Sequence, residues 1–540
     1  MKAITVLYGG SLGKEAFIPL AGLEKSSFDL AVRQSQLFPF TEKVVLLGRE
    51  GMDYPGFSGE TGCESKVKEF SLVTSPKWTR RELLNAISRE QSGYDLAYFA
   101  WADCPFLDPA LAAALTDRHV RYAAEYSYAD GYPLGFAPEL LSAGTAGVLF
   151  NIDKEGDVPV ERDAIFQAIQ KDINAFDIET EISPVDLRHY RICLAADSRR
   201  NLLLLNRWLQ ASVNFPKAQD AEAIIEKNPE LLRTLPAFYN IQVCEACPQA
   251  CSFCPWSGRG QSGKAIMEPE KFRLLLDKIV DFSGDAVISM SLWGEPALHP
   301  QKMDLIRMVL QRPELSLVIE TSGVGWKTSE LETLASEAKN AAARAGNLLA
   351  SPLSWVVSLD AFDPNRYREI RGSGFTEAAD CANQLLQLFP GSAYVQAVRF
   401  KGAEDDIEAF YRHWKEAPAA QSPQGTVKSG SANHVIIQKY DHFCNKLPKL
   451  QASDLSPVQR RPCWHLMRDM NIALDGTVLR CREILDSGGT VDRFNAFTRP
   501  LQEIWMSAEP MYGNDLYIQH TKGNYPEECA DCDEYYTYNF

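Results

Sequence analysis

The chain has 540 residues, of which 45% are hydrophobic and 23% charged, and it carries a net charge of −16. That length asks for about two to four domains, and the acidic balance excludes bulk attraction to nucleic acid or an anionic membrane. There is no Lys/Arg block, no aromatic-basic ladder, and no apolar run of the roughly 18 residues that a membrane span needs. The opening "MKAITVLYGGSLGK" reads as a strand broken by Gly-Gly, not as a signal peptide, so a cytoplasmic protein is expected. In a reducing compartment, clustered cysteines are metal ligands or catalysts rather than disulfides. Of the 13 cysteines, Cys63, Cys104, Cys193 and Cys381 stand alone in sequence and read as small buried hydrophobes.

Residues 1–205 alternate strand-like and helix-like runs, an α/β signature. "KAITVLYG", "KVVLLG", "LAYFAWAD", "AGVLFNI" and "YRICLAA" read as strands, and "RRELLNAISRE" and "PALAAALTD" as helices. "LYGGSLGKEAFIPLAG", a following helix and "KVVLLG" resemble the start of sugar-nucleotide and cytidylyl-type nucleotidyltransferases, which implies a Rossmann-like domain. Glycine-rich backbone after a strand can cradle phosphates, but Lys14 is the single basic candidate in this loop. Asp103 in "WADCPFLDP" and Asp197 in "LAADSRRNLLLL" offer two carboxylates at strand ends, which would suit Mg²⁺ and a nucleotide. The competing reading makes them helix N-caps in a catalytically silent fold. "SRRNLLLLNRWLQASVN" and "PKAQDAEAIIEKNPELLRTLP" read as a helix leaving the domain and a helical linker, the linker spanning 206–235.

Over 236–442 the alternation is more regular. Six strand-like runs, "AFYNIQV", "DAVISMSLW", "LSLVIETS", "LSWVVSLD", "AYVQAVRF" and "HVIIQKYD", are separated by helical patterns. This predicts a partial (β/α)6 parallel barrel whose active site lies at the C-terminal ends of its strands. The segment 417–433 reads as a Ser/Gly/Pro-rich loop. Over 443–540 the pattern becomes short and cysteine-bearing, with "DMNIALDGTVLRC" a hairpin turned at Asp475-Gly476. A small metal-held domain is expected there.

Cys247, Cys251 and Cys254 follow the first of the six strands as C-x3-C-x2-C, with Phe253 before the last thiol. Three thiolates can hold three irons of a cubane and leave the fourth open to a chelating substrate. This spacing resembles the radical S-adenosylmethionine (radical SAM) superfamily. "LWGEPALHP" after the second strand resembles that family's Gly-Gly-Glu-Pro motif, with Trp293 in place of the first glycine and Gly294 and Glu295 retained. "IETSG", "VVSLDAFDPNRYREIRGSG" and "VQAVRF" mark further strand ends. The resemblance implies that Phe253, Gly294, Glu295, Ser358 and Arg371 contact S-adenosylmethionine, with Arg371 a candidate carboxylate partner and the Gly294-Glu295 backbone and carboxylate holding its ammonium. Gln396 faces either the pocket or the sheet, and Cys244 reads as a strand-end core residue. His299, His442 and His465 show no paired ligand spacing and read as core or solvated side chains.

Cys463, Cys481, Cys529 and Cys532 form a second group. Four thiolates suit zinc or an iron–sulfur cluster on ligand type alone. The C-x12-G-x4-C pattern resembles the SPASM/Twitch extension, which implies one auxiliary [4Fe-4S] cluster, because no cysteine follows the final C-x-x-C. Cys444 reads as a buried cysteine or an extra ligand. "IIQKYDHFCNKLP" and "LSPVQRRPCWHLMRDMNIALDGTV" resemble the spiro-SPASM proteins. The resemblance implies reductive cleavage of S-adenosylmethionine to a 5′-deoxyadenosyl radical and hydrogen abstraction from a peptide or a nucleotide-linked small molecule. A low-potential donor of flavodoxin or ferredoxin type would be needed, with no nucleic acid or membrane partner. The alternatives are a bifunctional nucleotidyltransferase/radical SAM enzyme and a non-catalytic zinc- or cluster-stabilised binding protein.

Overall fold

A computed structural model describes residues 1–55, 57, 67, 69–156, 158–256, 265–342, 351–415, 434–453, 456–457, 459–482, 494–510 and 512–537. Cys63 and the loop read over 417–433 lie outside the described residues. The chain divides into two compact units, Met1–Thr234 and Leu235–Phe540.

The first unit contains β1 (Ala3–Gly9), α1 (Ser27–Ser35), β2 (Thr41–Arg49), β3 (Glu69–Ser75), α2 (Arg80–Glu90), β4 (Leu96–Trp101), α3 (Pro109–Arg121), β5 (Tyr126–Asp130), β6 (Glu139–Ser142), α4 (Thr145–Ile152), α5 (Ala164–Ile169), β7 (Ile178–Ile182), α6 (Arg199–Ala211) and α7 (Ala221–Lys227). Its sheet runs β3-β2-β1-β4-β6-β5-β7, with β6 antiparallel to both of its neighbours. Both faces are covered. Along β1, Ala3 and Leu7 enter one core while Ile4, Val6 and Tyr8 enter the other, which is why the strand reads as a continuous apolar run. Capping boxes at Ser26/Asp29 and Thr79/Glu82 start α1 and α2.

Two of the strand readings are corrected. "AGVLFNI" forms α4, and its buried Thr145, Ala146 and Leu149 fall on one side of a helix rather than alternating. "YRICLAA" forms no strand and contributes only an isolated bridge between Leu134 and Cys193. The stretch read as a departing helix and linker is core. Leu204, Leu205 and Trp208 of α6, and Ile224 and Ile225 of α7, pack into the unit's larger apolar cluster.

The second unit follows the barrel reading closely. It runs β8 (Phe238–Ile241), α8 (Pro269–Ser283), β9 (Ala286–Ser289), α9 (Lys302–Leu310), β10 (Leu315–Thr321), α10 (Thr328–Ala342), β11 (Leu353–Ser358), α11 (Pro364–Ile370), α12 (Phe375–Leu388), β12 (Ala393–Arg399), α13 (Glu404–Lys415) and β13 (Val435–Lys439). The tail adds α14 (Trp464–Arg468), β14 (Asp469–Ile472), β15 (Val478–Leu479), α15 (Leu501–Trp505), α16 (Gly513–Thr521) and α17 (Glu527–Ala530). The sheet order is β13-β12-β11-β10-β9-β8-β14-β15. Six strands are therefore parallel and sequential, and the tail hairpin extends the same sheet. β14 pairs parallel to β8, with Asn240 Nδ2 donating to Asn471 Oδ1 at 2.8 Å. An unpaired β8 would expose a row of backbone donors and acceptors, and the hairpin covers that edge. Among the described residues no helix is long and apolar enough to cross a membrane.

Candidate active site

The C-terminal ends of β8 to β13 converge on a cavity of about 250 Å³. Cys247, Cys251 and Cys254 line it, as do Phe253, Gly294, Glu295, Ser358 and Arg371. The cysteine loop is held in place by its backbone. Ala250 N donates to Arg371 O at 2.9 Å and Ser252 N to Ile370 O at 2.8 Å, so the loop rides on the end of α11. Burial pushes the Cys247 thiol up to about 11 and the Cys251 thiol up to about 12, with Arg371 pulling Cys251 the other way. Thiolates are what a metal requires, so a metal binding at these thiols would release protons.

Gly294 has no alternative. Its φ is +83°, and a Cβ there would stand 2.2 Å from the Cys244 carbonyl oxygen. The backbone of the motif thus lies directly against the cysteine loop, and Glu295 N donates to Ala246 O at 2.8 Å. The Glu295 carboxylate, 2% exposed, is engaged internally. Its Oε1 accepts from Thr321 Oγ1 at 2.6 Å and Ala297 N at 3.0 Å, and its Oε2 accepts from Ser322 N at 2.7 Å. It braces the end of β9 to the end of β10. Cys244 is buried and its thiol donates to the Glu295 carbonyl at 2.9 Å, which fits the core reading.

The Trp293 departure has a structural partner. Its ring stacks on Trp256, with centroids 5.0 Å apart and planes 8° from parallel, and both rings line the cavity. Arg371 pairs with the fully buried Asp360, whose Oδ1 accepts from Val398 N at 2.8 Å. Asp360 itself has a left-handed backbone, φ 63°. The Nε of Arg371 is buried without a hydrogen-bond partner among the described residues, and Arg371 itself lines the cavity.

Other cavity residues carried no motif. Gln396, 5% exposed, faces the cavity. Gln249 Oε1 is buried and without a partner among the described residues. Glu320 lies at the end of β10, where burial raises its carboxyl and Arg482 opposes the rise. "IETSG" contained Glu320, but nothing in the sequence connected it with Arg482, 162 residues on. Lys439 and Asp441, at and just past the end of β13, also line the cavity. The three histidines are buried: His299 contacts Met267 O at 3.0 Å, and His465 sits 2.7 Å from Asp469 and 3.1 Å from Glu534 O. His442 lies 3.4 Å from Asp533.

In the tail, Cys463 caps α14, and Cys529 and Cys532 bracket the end of α17. Cys463 feels both of them electrostatically, Cys532 more strongly. Cys481 follows Arg480, whose guanidinium reaches Glu528 at 3.3 Å and acts on Cys529. Cys444 is half-buried rather than buried and shares a hydrogen bond with Cys532 that lowers the Cys532 thiol. It sits in a run of three left-handed non-glycine residues, Phe443, Cys444 and Asn445, with φ of 49°, 54° and 65°.

In the first unit, Asp103 and Asp197 are brought together by the backbone bond from Ala196 N to Asp103 O, 2.9 Å. Arg162 stands between their carboxylates.

A family model described as "Radical SAM superfamily" matches residues 241–413, and one described as "Iron-sulfur cluster-binding domain" (SPASM) matches residues 463–533. An uncharacterized protein of Treponema pallidum (strain Nichols) is 36% identical over 384 residues, which are 70% of this chain and 98% of that one. Among solved structures, SuiB of Streptococcus suis bound to S-adenosylmethionine aligns at 17% identity with a TM-score of 0.38, covering 57% of this chain and 76% of that chain. A cytidylyltransferase from Leptospira borgpetersenii serovar Hardjo-bovis (strain JB197) aligns at 16% identity with a TM-score of 0.35, covering 43% of this chain and 96% of that chain.

Proposed function

Because this chain belongs to the radical SAM superfamily and carries its iron–sulfur cluster-binding SPASM domain, we propose that the β8–β13 cavity is where it cleaves S-adenosylmethionine and removes a hydrogen atom from a polar substrate, a peptide or a nucleotide-linked small molecule. The chain is a radical SAM enzyme, with [4Fe-4S] clusters and S-adenosylmethionine as cofactors, and it needs a reductant. The observation that carries the proposal is one cavity lined both by the three cysteines of the C-x3-C-x2-C loop and by Arg371, the partner of the buried Asp360.

The residues present fit the cofactors. Cys247, Cys251 and Cys254 would hold three irons, and Arg371 would take the carboxylate of S-adenosylmethionine. When bound and reduced, the cluster supplies the electron that breaks the sulfonium bond homolytically. The chain's own part is positioning and exclusion of water. Asp360 orients Arg371, Gly294 lets the motif backbone approach the loop, and the Trp256–Trp293 pair forms an apolar wall. Glu320, Gln438, Lys439 and Asp441 present polar groups to the rest of the cavity, which favours a substrate rich in hydrogen-bonding groups over a hydrocarbon. In the tail, Cys463, Cys481, Cys529 and Cys532 would ligate one auxiliary cluster. A donor of flavodoxin or ferredoxin type would need a local basic patch on this acidic chain.

The test is anaerobic reconstitution followed by iron, sulfide and zinc analysis and an assay for 5′-deoxyadenosine after dithionite reduction. About eight irons per chain are expected, for one open and one closed cubane. Deoxyadenosine release that disappears in Cys251→Ala supports the proposal. Zinc in place of iron, or no deoxyadenosine from iron-loaded protein, overturns it.

A further inference from the structure

The two carboxylates read as a Mg²⁺ pair, Asp103 and Asp197, both belong to the first unit. Asp103 lies just past β4, at the point where the strand order of the sheet reverses from β1 outward. In open α/β sheets that crevice is where ligands bind. Asp197 is brought beside it, and the position between them is filled. Arg162, two residues before α5, donates from Nη1 to Asp103 Oδ1 at 2.8 Å and from Nη2 to Asp103 Oδ2 at 2.6 Å. The same Nη2 donates to Asp197 Oδ2 at 2.9 Å. The remaining Asp197 oxygen accepts from Asn201 Nδ2 at 2.7 Å. The guanidinium also lies 4.3 Å from the centre of the Trp101 ring.

This is a two-point fork on a carboxylate that is 4% exposed, reinforced by stacking on an indole. Mg²⁺ requires near-octahedral oxygens at close range and keeps several waters. Room for it exists only if Arg162 is expelled, which would strip a buried carboxylate of its partner. The glycine-rich loop points the same way. The space a Cβ on Gly10 would need is taken by Trp78, whose Cδ1 would lie 2.3 Å from it. The concavity that the glycine leaves holds an aromatic ring of this chain.

We propose that Arg162 is the built-in cation of the Asp103–Asp197 pair, so that the first unit takes no divalent metal there and performs no metal-dependent nucleotidyl transfer. The residues present thus do not fit the metal that the nucleotidyltransferase resemblance implies. The unit keeps the crevice and the paired carboxylates, but their charge is answered from within the chain.

The test uses the full-length reconstituted protein and Mn²⁺ titrations followed by electron paramagnetic resonance. The parent and Arg162→Lys are expected to show no Mn²⁺ site that Asp103→Asn removes. Arg162→Gln is expected to gain about one Mn²⁺ per chain and to lose it when Asp103→Asn is added. An Arg162→Gln protein with parental circular dichroism that gains no Mn²⁺ overturns the proposal. So does a parental Mn²⁺ site, or parental pyrophosphate release from nucleoside triphosphates, that Asp103→Asn abolishes. That last comparison needs no change at Arg162 and stands even if its variants fail to fold.

Discussion

The backbone of Gly294 lies against the carbonyl of Cys244 so closely that a Cβ at residue 294 would be 2.2 Å from that oxygen. The obstacle is backbone, so no rotamer change relieves it. Gly294→Ala also meets a left-handed φ of +83°, itself worth roughly 1–3 kcal/mol. The variant should reconstitute with fewer irons in the first cluster and lose deoxyadenosine formation. Cys244→Ala, which leaves the carbonyl in place, should not rescue it. Iron analysis of the single and double variants checks this.

Arg371→Lys separates orientation from charge. A lysine can still answer Asp360, but it has no second donor edge to offer from the same position. Loss of one hydrogen bond to a charged group is worth about 1.5–3 kcal/mol. The dissociation constant for S-adenosylmethionine should therefore rise about tenfold to a hundredfold, with the iron content unchanged. Equal affinity in parent and variant would make Arg371 a purely structural residue.

The Trp256–Trp293 stack should report on occupancy of the cavity. Binding of S-adenosylmethionine to the reconstituted protein is expected to change tryptophan emission. The change should be lost in Trp256→Phe/Trp293→Phe. An unchanged response in the double variant places the reporting ring elsewhere among the ten tryptophans.

His119 gives the first unit an acid weakness. It is buried, with Nδ1 2.8 Å from Ser127 Oγ and Nε2 2.9 Å from Ser142 Oγ, and burial lowers it to about 4. In the unfolded chain it takes up a proton near pH 6.5, in the fold only near pH 4. Its effect is therefore absent above about pH 6.5, and stability falls progressively as the pH drops toward about 4. At pH 5 the cost is about 2 kcal/mol. Urea denaturation at pH 7 and pH 5 should show that loss in the parent and a shallower pH slope in His119→Gln.

The regular half of the fold was legible because its signal was redundant. Each of the six barrel strands was an apolar run, amphipathic patterns lay between successive strands, and length separated strand from helix. "AGVLFNI" lacked that redundancy. A short run that is apolar or glycine at all but Asn151 fits a buried strand and a buried helix face equally well, and Gly144 with a left-handed backbone starts it as α4. The tail hairpin was readable as a hairpin, but its docking on β8 depends on an edge 231 residues away. The cysteine loop and Gly294 announced themselves through spacing. Arg162 did not, since one arginine in "PVERDAIF" carries no motif and acquires its role only when Asp103, 59 residues earlier, arrives beside it. The thin supply of basic residues in the front loop was the one departure from the nucleotidyltransferase pattern that the sequence showed there.

The pairing of β14 with β8 also has a consequence in time. The strand that launches the cysteine loop acquires its outer neighbour only when residues 469–472 have emerged. At roughly 5–20 residues per second, the 231 residues separating Asn240 from Asn471 take roughly 10–50 s to synthesise. For that interval the root of the catalytic loop is the open border of a growing sheet. Closing that border with β14 therefore waits on a segment made long after β8, so the ordering of the strand root beneath the cysteine loop is a late event in the life of the nascent chain.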